Sequence, residues 1–301
     1  MNLWRMNIKT ASKKGIDSFM FCLERGILGF GWPLKDVNGK KIKDIEEYEK
    51  LGKIQYKSKG LSTAINAFKK IEIDDLVWTR HQGIYYLCRV EGKWRYESDN
   101  ANYDADVVNV IPVKFIKVGT VENVPGKVVN AFRARSTIQK IHGYKKNNTY
   151  VNPALILSMK IYNEKSKTEY YEVPELDKND ILESLLPEDV EEIVSLYLQY
   201  EKNYLLYSSS NKIDTQKYEF VMVSRDGTHL AYAQVKTGNV LLDGREFEHL
   251  LEGDNKIYLF TSSENYKNIN NDNIKIISKN DLINFLYNNL KIMPNRIRMW
   301  L

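Results

Sequence analysis

The stretch from Tyr218 to Lys236 constrains this chain more than any other. Asp226-Gly227 separates two runs rich in Val, Tyr and Phe, Tyr218 to Ser224 and His229 to Lys236. An Asp-Gly pair so placed is a strong hairpin signal, because a type I′ turn needs φ > 0 at both central residues. A two-residue loop at 226 and 227 sets Arg225 against Thr228, and counting back along both strands brings Glu219 opposite Gln234. Paired residues share a face of the sheet, as do residues two apart on one strand. Glu219, Gln234 and Lys236 are therefore expected on one face. The remaining positions are largely apolar (Phe220, Val221, Met222, Val223, Ala231, Ala233, Val235), which predicts a hairpin in the interior of a sheet. Polar groups gathered there need a reason, since burying charge is costly.

The flanking sequence predicts alternating helices and strands. Pro187-Glu-Asp has first-turn helix chemistry, and Val190, Ile193, Val194, Tyr197 and Leu198 recur at helical spacing. After the hairpin, Phe247 to Leu251 predicts a short helix, and Lys256 to Thr261 and Ile274 to Ile277 predict strands. Ser278-Lys-Asn-Asp281 predicts a helix start before Leu282, Phe285, Leu286 and Leu290. This order is of the α/β type.

The acidic residue on one strand and Gln-x-Lys on its neighbour resemble the PD-(D/E)xK nuclease family in its Mrr-like branch. The resemblance implies a mixed-sheet core flanked by helices. Glu219 and Gln234 would hold Mg²⁺ or Mn²⁺, and Lys236 would be the catalytic lysine. Hard cations take carboxylate and amide-carbonyl oxygens and activate water against a phosphodiester. The same resemblance implies an auxiliary glutamate on the helix that begins at Pro187. Counting back from Asn203-Tyr204, where the family has Gly-Tyr, gives Glu192, with Glu191 as the alternative. The polar loop from Ser208 to Thr215 matches the family's approach to the acidic strand, and its hydroxyls and lysine suit phosphate positioning.

The first 145 residues have another texture. They hold Trp4, Trp32, Trp78 and Trp94 and read as many short strands, which suggests a small barrel with helices. Expected strands run from Ile27 to Trp32, Asp75 to Arg80, Ile84 to Val90 and Lys93 to Tyr96, with more over Val107 to Val118 and a helix over Thr63 to Lys70. A turn at Glu91-Gly92 would place Tyr85, Trp94 and Tyr96 on one face. Gly29-Phe-Gly-Trp32, Asp75-Leu-Val-Trp-Thr-Arg80, Gly83 to Tyr96 and Val124 to Gln139 resemble the PUA-like superfamily, particularly its EVE-like readers of modified bases. The resemblance implies a base taken out of the duplex and stacked between aromatic rings. Trp32 and Trp78 are the first candidates for those rings, with Tyr85, Trp94 and Tyr96 as rivals.

The chain thus reads as α+β or α/β in three parts: a base-reading domain over 1–145, a linker with a helix over 146–186, and a nuclease domain over 187–301. Its 44 basic against 39 acidic residues give a mild +5, which permits nucleic-acid binding without demanding it. Arg133, Arg135, Lys140, Lys145 and Lys146 form a candidate phosphate-contacting cluster. Two cysteines and four scattered histidines leave no zinc pattern. With no signal peptide or long apolar run, a cytoplasmic protein with no membrane association is expected. The expected function is modification-dependent cleavage of double-stranded DNA, as in type IV-like restriction, with homodimerisation left open. The alternatives are a restriction enzyme reading unmodified bases, and a non-catalytic nucleic-acid-binding protein with a decayed nuclease fold.

Overall fold

The computed structural model describes residues 1–8, 11–35, 41–146, 149–175, 177–210 and 217–301. It divides into two compact units, Met1–Pro174 and Glu175–Leu301. Both combine mixed sheets with flanking helices, an α+β arrangement.

The first unit contains β1 (Leu3–Met6), α1 (Ser18–Arg25), β2 (Ile27–Phe30), α2 (Ile45–Tyr56), α3 (Lys59–Phe68), β3 (Leu76–His81), β4 (Ile84–Val90) and β5 (Arg95–Tyr96). It continues through α4 (Asn100–Ala105), β6 (Asn109–Gly119), α5 (Gly126–Ala131), β7 (Ile138–Lys140), β8 (Tyr144–Lys146), β9 (Thr149–Val151) and α6 (Pro153–Ser166). The main sheet runs β2-β6-β4-β3-β1-β7, with β5 paired to β6 across from β2, on the edge that β4 also occupies. The strands form a curled mixed sheet, and among the described residues no ladder joins β2 to β7.

Register assigns the two faces of this sheet. Arg5, Trp78 and Leu87 are cross-strand partners on one face, and Trp4, Val77 and Cys88 are partners on the other. The second face packs on α2 and α3 through Tyr48, Leu61, Ala64, Ile65 and Phe68. The first face meets α6: Trp78 Nε1 donates to Ser158 Oγ at 2.9 Å, and Arg89 Nε donates to the Tyr162 hydroxyl at 3.0 Å. The helix expected in a linker over 146–186 is therefore part of the first unit. Its buried Leu157, Ile161 and Tyr162 need a sheet face to cover.

The hairpin expected at Glu91-Gly92 does not form. Both edges of β4 are taken, by β3 and β6, and β5 pairs with β6 instead. Tyr85 is consequently parted from Trp94 and Tyr96.

The second unit contains α7 (Ile181–Ser184), α8 (Pro187–Glu201), β10 (Tyr204–Leu206), β11 (Phe220–Ser224), β12 (Leu230–Lys236), β13 (Leu242–Asp243) and β14 (Lys256–Thr261). β15 (Tyr266–Lys267), β16 (Ile274–Ile276), α9 (Lys279–Asn288) and α10 (Asn295–Arg298) complete it. Its main sheet is β10-β11-β12-β14-β16, antiparallel up to β12 and parallel beyond. Helix α9 starts where expected, with Ser278 Oγ accepting from the Asp281 amide at 3.0 Å. It packs on α8, where Tyr197 and Phe285 meet edge to face at 5.4 Å.

The β11–β12 register pairs Phe220 with Ala233 and Val223 with Leu230, which is the expected register. The turn differs. Gly227 takes φ +73° but Asp226 does not take a positive φ, so this is not a type I′ turn. The Gly227 amide donates to the Ser224 carbonyl at 2.8 Å, and the ladder closes at Ser224 N to the His229 carbonyl, 3.0 Å. This four-residue loop preserves the register of a two-residue one. The Asp226 carboxylate accepts from Ser224 Oγ, Thr228 Oγ1 and the Thr228 amide, which pulls its pKa down to about 2.

Candidate functional site

Glu219 stands just before β11, and its amide donates to the Ala233 carbonyl at 2.8 Å. Gln234 and Lys236 project from one face of β12, as alternation requires. Lys236 Nζ lies 2.6 Å from Glu219 Oε1, and Gln234 Nε2 donates to the same oxygen at 3.3 Å. The three groups singled out by the hairpin thus meet at one carboxylate. Gln234 is 4% exposed, and its Oε1 is buried without a hydrogen-bond partner among the described residues. Leaving such an acceptor unpaired costs about 1–3 kcal/mol, so this oxygen is poised for a ligand.

Helix α8 packs against β12. Glu192 is exposed and does not meet the cluster. The half-buried glutamate is Glu191, whose pKa is pushed up to about 7, first by burial, then by Glu219 and Glu188; Lys236 opposes. Of the two candidates for the auxiliary acid, Glu191 is the one the structure turns toward Glu219 and Lys236, while Glu192 faces solvent. One residue turns a side chain by about 100° around a helix, and buried Val190, Ile193 and Val194 fix the inward stripe. Asn203, where the resemblance expects Gly, takes the left-handed φ of +58°.

Two carboxylates and an amide oxygen suit a hard divalent cation. Among the described residues no three His, Cys, Asp or Glu side chains gather as a metal cluster. Residues 211–216 of the expected phosphate-positioning loop lie outside the described residues.

In the first unit the aromatic candidates separate. Trp78 is fully buried against Ser158, and Tyr85 is 4% exposed and packs on Phe132 at 5.7 Å. Both are core residues, because their strands are covered on that face. Trp94 and Tyr96 pack on Tyr48, at 5.9 and 5.4 Å. Trp94 Nε1 donates to Asn109 Oδ1 at 3.3 Å, and the Tyr96 hydroxyl accepts from the Leu34 amide at 2.8 Å. Of the five, Trp32 alone lines a cavity of about 620 Å³, with Phe30, Tyr56, Tyr103, Gly31 and Asp106 among its other walls. That volume is in the range of small-ligand pockets.

The segment carrying Trp32 is held from several sides. The Tyr48 hydroxyl donates to the Trp32 carbonyl at 2.8 Å, Tyr56 donates to the Pro33 carbonyl, and Tyr103 donates to the Leu34 carbonyl at 3.1 Å. Trp32 adopts φ +61°, an outlier for a bulky residue. Asp106 was not legible as a functional residue from the sequence. It terminates α4 at φ +52°, and only the fold brings it to Gly31.

No protein-family model matches this chain, and comparison with curated proteins and solved structures also gives no match. No helix among the described residues is long and apolar enough to cross a membrane.

Proposed function

We propose that this chain is a divalent-metal-dependent DNA endonuclease with a Mrr-like PD-(D/E)xK second unit and a PUA/EVE-like first unit that reads a modified base. The observation that carries the nuclease reading is the convergence of Glu219, Gln234 and Lys236, with Gln234 Oε1 buried beside them and unpaired among the described residues. Glu219, Gln234 Oε1 and Glu191 would hold the cation. When bound, Mg²⁺ or Mn²⁺ polarises the phosphodiester and lowers the pKa of water.

The chain's own groups supply the rest. Glu219 orients the Lys236 ammonium through their 2.6 Å contact. That ammonium would offset negative charge developing on the phosphoryl oxygens. Water attacks phosphorus and loses a proton to solvent, one P–O ester bond breaks, and the leaving alkoxide takes up a proton from solvent. Glu191, half-buried beside Glu219, would serve as a carboxylate ligand once a cation offsets the burial and repulsion that raise its pKa. In the first unit, the cavity beside Trp32 has room and aromatic walls for an extruded base, and stacking there is worth about 1–3 kcal/mol.

The test is incubation of the full chain with Mg²⁺ and duplexes carrying cytosine, 5-methylcytosine, 5-hydroxymethylcytosine or N6-methyladenine. Metal-dependent cleavage of a modified duplex, lost in Lys236→Ala and Glu219→Ala, is expected. Cleavage that either variant leaves undiminished rules this site out. Equal cleavage of all the duplexes removes the modified-base reading.

A further inference from the structure

The lining of the cavity of the first unit includes one carboxylate, Asp106, that aromatic stacking does not require. Asp106 reaches Gly31 so closely that a Cβ on that glycine would lie 2.2 Å from Asp106 Oδ1. Asp106 Oδ2 accepts the Ala11 amide at 2.8 Å. That amide and the close approach to Gly31 fix its orientation. Two oxygens offer about four lone-pair sites, so acceptor capacity remains on the cavity side. Lys13, the cationic group in the lining, is paired with Asp104 at 2.6 Å and is not a partner of Asp106 in this structure.

The backbone links the carboxylate to the ring, because Gly31, against which Asp106 packs, immediately precedes Trp32. The Trp32 carbonyl accepts from the Tyr48 hydroxyl, and Trp32 holds φ +61°. Strained backbone of this kind costs about 1–3 kcal/mol and persists where the surroundings over-determine it, often at ligand clamps. A stacking surface and a hydrogen-bond acceptor are therefore set in fixed relation.

We infer that Asp106 is the specificity-determining residue of this cavity and selects a base carrying an exocyclic amine over thymine- or uracil-type bases. This inference rests on the reading of the first unit as a base-binding domain. An amine N–H of a cytosine-, adenine- or guanine-type base donates to the carboxylate. A thymine- or uracil-type base presents a carbonyl oxygen at position 4, which faces acceptor with acceptor and leaves both unpaired. Discrimination by a polar group that loses its hydrogen-bond partner in a cavity wall is large compared with that of an apolar wall.

The experiment uses the full chain without divalent metal, so that binding is measured apart from cleavage. Each test base is placed opposite an abasic site, so that extrusion does not depend on a pairing partner. Four matched pairs are compared by fluorescence anisotropy: cytosine with uracil, 5-methylcytosine with thymine, 5-hydroxymethylcytosine with 5-hydroxymethyluracil, and adenine with hypoxanthine. Within each pair the 5-substituent or ring is constant and the amine becomes a carbonyl. The amine member of at least one pair is expected to bind about tenfold tighter or more. Asp106→Asn, whose amide can donate to a carbonyl, should abolish or invert that preference. Gly31→Ala, whose methyl occupies the carboxylate's space, should also abolish it, and melting curves establish that each variant folds.

No amine preference in any pair overturns the inference, as does retention of the preference by an Asp106→Asn variant that melts like the wild type. If the chain binds no test base more tightly than a duplex with abasic sites on both strands, the base-reader reading falls and the inference with it. If bases are bound without regard to the amine, the reader survives and only the inference falls. Competition by free nucleosides at the affinity of the oligonucleotides would assign the cavity to small molecules and overturn it also.

Discussion

Glu191→Gln tests the carboxylate pair of the second unit directly. Burial first, then Glu219 and Glu188, hold the Glu191 carboxyl at about 7 against an ordinary 4.5. Because the folded value is the higher, the native state retains a proton that the unfolded chain has lost. The stability associated with that proton is complete below about 4.5 and is lost as pH rises through about 7. The gap of about 2.5 pH units, at about 1.36 kcal/mol each, sets a ceiling of roughly 3.4 kcal/mol. Glu191 is partly exposed, so solvent screening leaves about 1–2 kcal/mol. Glutamine keeps the shape and does not titrate. The variant should therefore match the wild type near pH 5 and exceed it by about 1–2 kcal/mol at pH 8.5. Scanning calorimetry at the two pH values, with attention to the transition of the second unit, measures this as a rise of several degrees at the higher pH only. Added Mg²⁺ at pH 8.5 should raise the melting temperature of the wild type more than that of the variant. A variant no more stable than the wild type at pH 8.5, or one with the same pH slope, would refute the burial and repulsion argument.

Other substitutions address other parts of the molecule. Trp78→Ala should cost about 3–5 kcal/mol of stability, as core truncations do, whereas Trp32→Ala should weaken binding of a modified duplex by about 1–3 kcal/mol with a smaller loss of stability; melting and anisotropy on both variants separate the roles, and the reverse pattern would exchange them. Ser158→Ala leaves the Trp78 indole N–H without its partner and should cost about 1–3 kcal/mol by urea unfolding. Gly227→Ala, at φ +73° with open space around its Cβ, should cost about 1 kcal/mol through backbone strain alone and leave metal-dependent cleavage intact. Glu192→Ala should leave cleavage unchanged while Glu191→Ala reduces it, and equal losses would contradict the assignment of the helix acid.

The sequence by itself determined the β11–β12 register, the strands at 256–261 and 274–276, and the starts of α8 and α9. These depend on near neighbours: alternation of side chains, capping residues, and a turn that fixes which positions face each other. The register survived even though the turn did not take the expected type, because a loop closed at Ser224 and His229 and one closed at Arg225 and Thr228 pair the same residues. Glu219, Gln234 and Lys236 could be placed on one face for the same reason.

Other features were decided by which surfaces met. Trp32 and Trp78 look alike in sequence, each in an aromatic strand run. Trp78 is core because α6 covers its face, and Trp32 lines a cavity because a left-handed backbone turns it there. Strand pairing of β5 with β6 depended on β4 having no free edge, which no local pattern at Glu91-Gly92 reveals. The choice between Glu191 and Glu192 turned on one residue's rotation about α8, set by the sheet beneath it. Asp106 is more than seventy residues from Gly31 along the chain, and its carboxylate enters the cavity only because tertiary packing brings the end of α4 against the end of β2. Local periodicity fixes what a side chain's own strand or helix presents; burial, electrostatics and cavity shape depend on the partner that arrives from elsewhere in the chain.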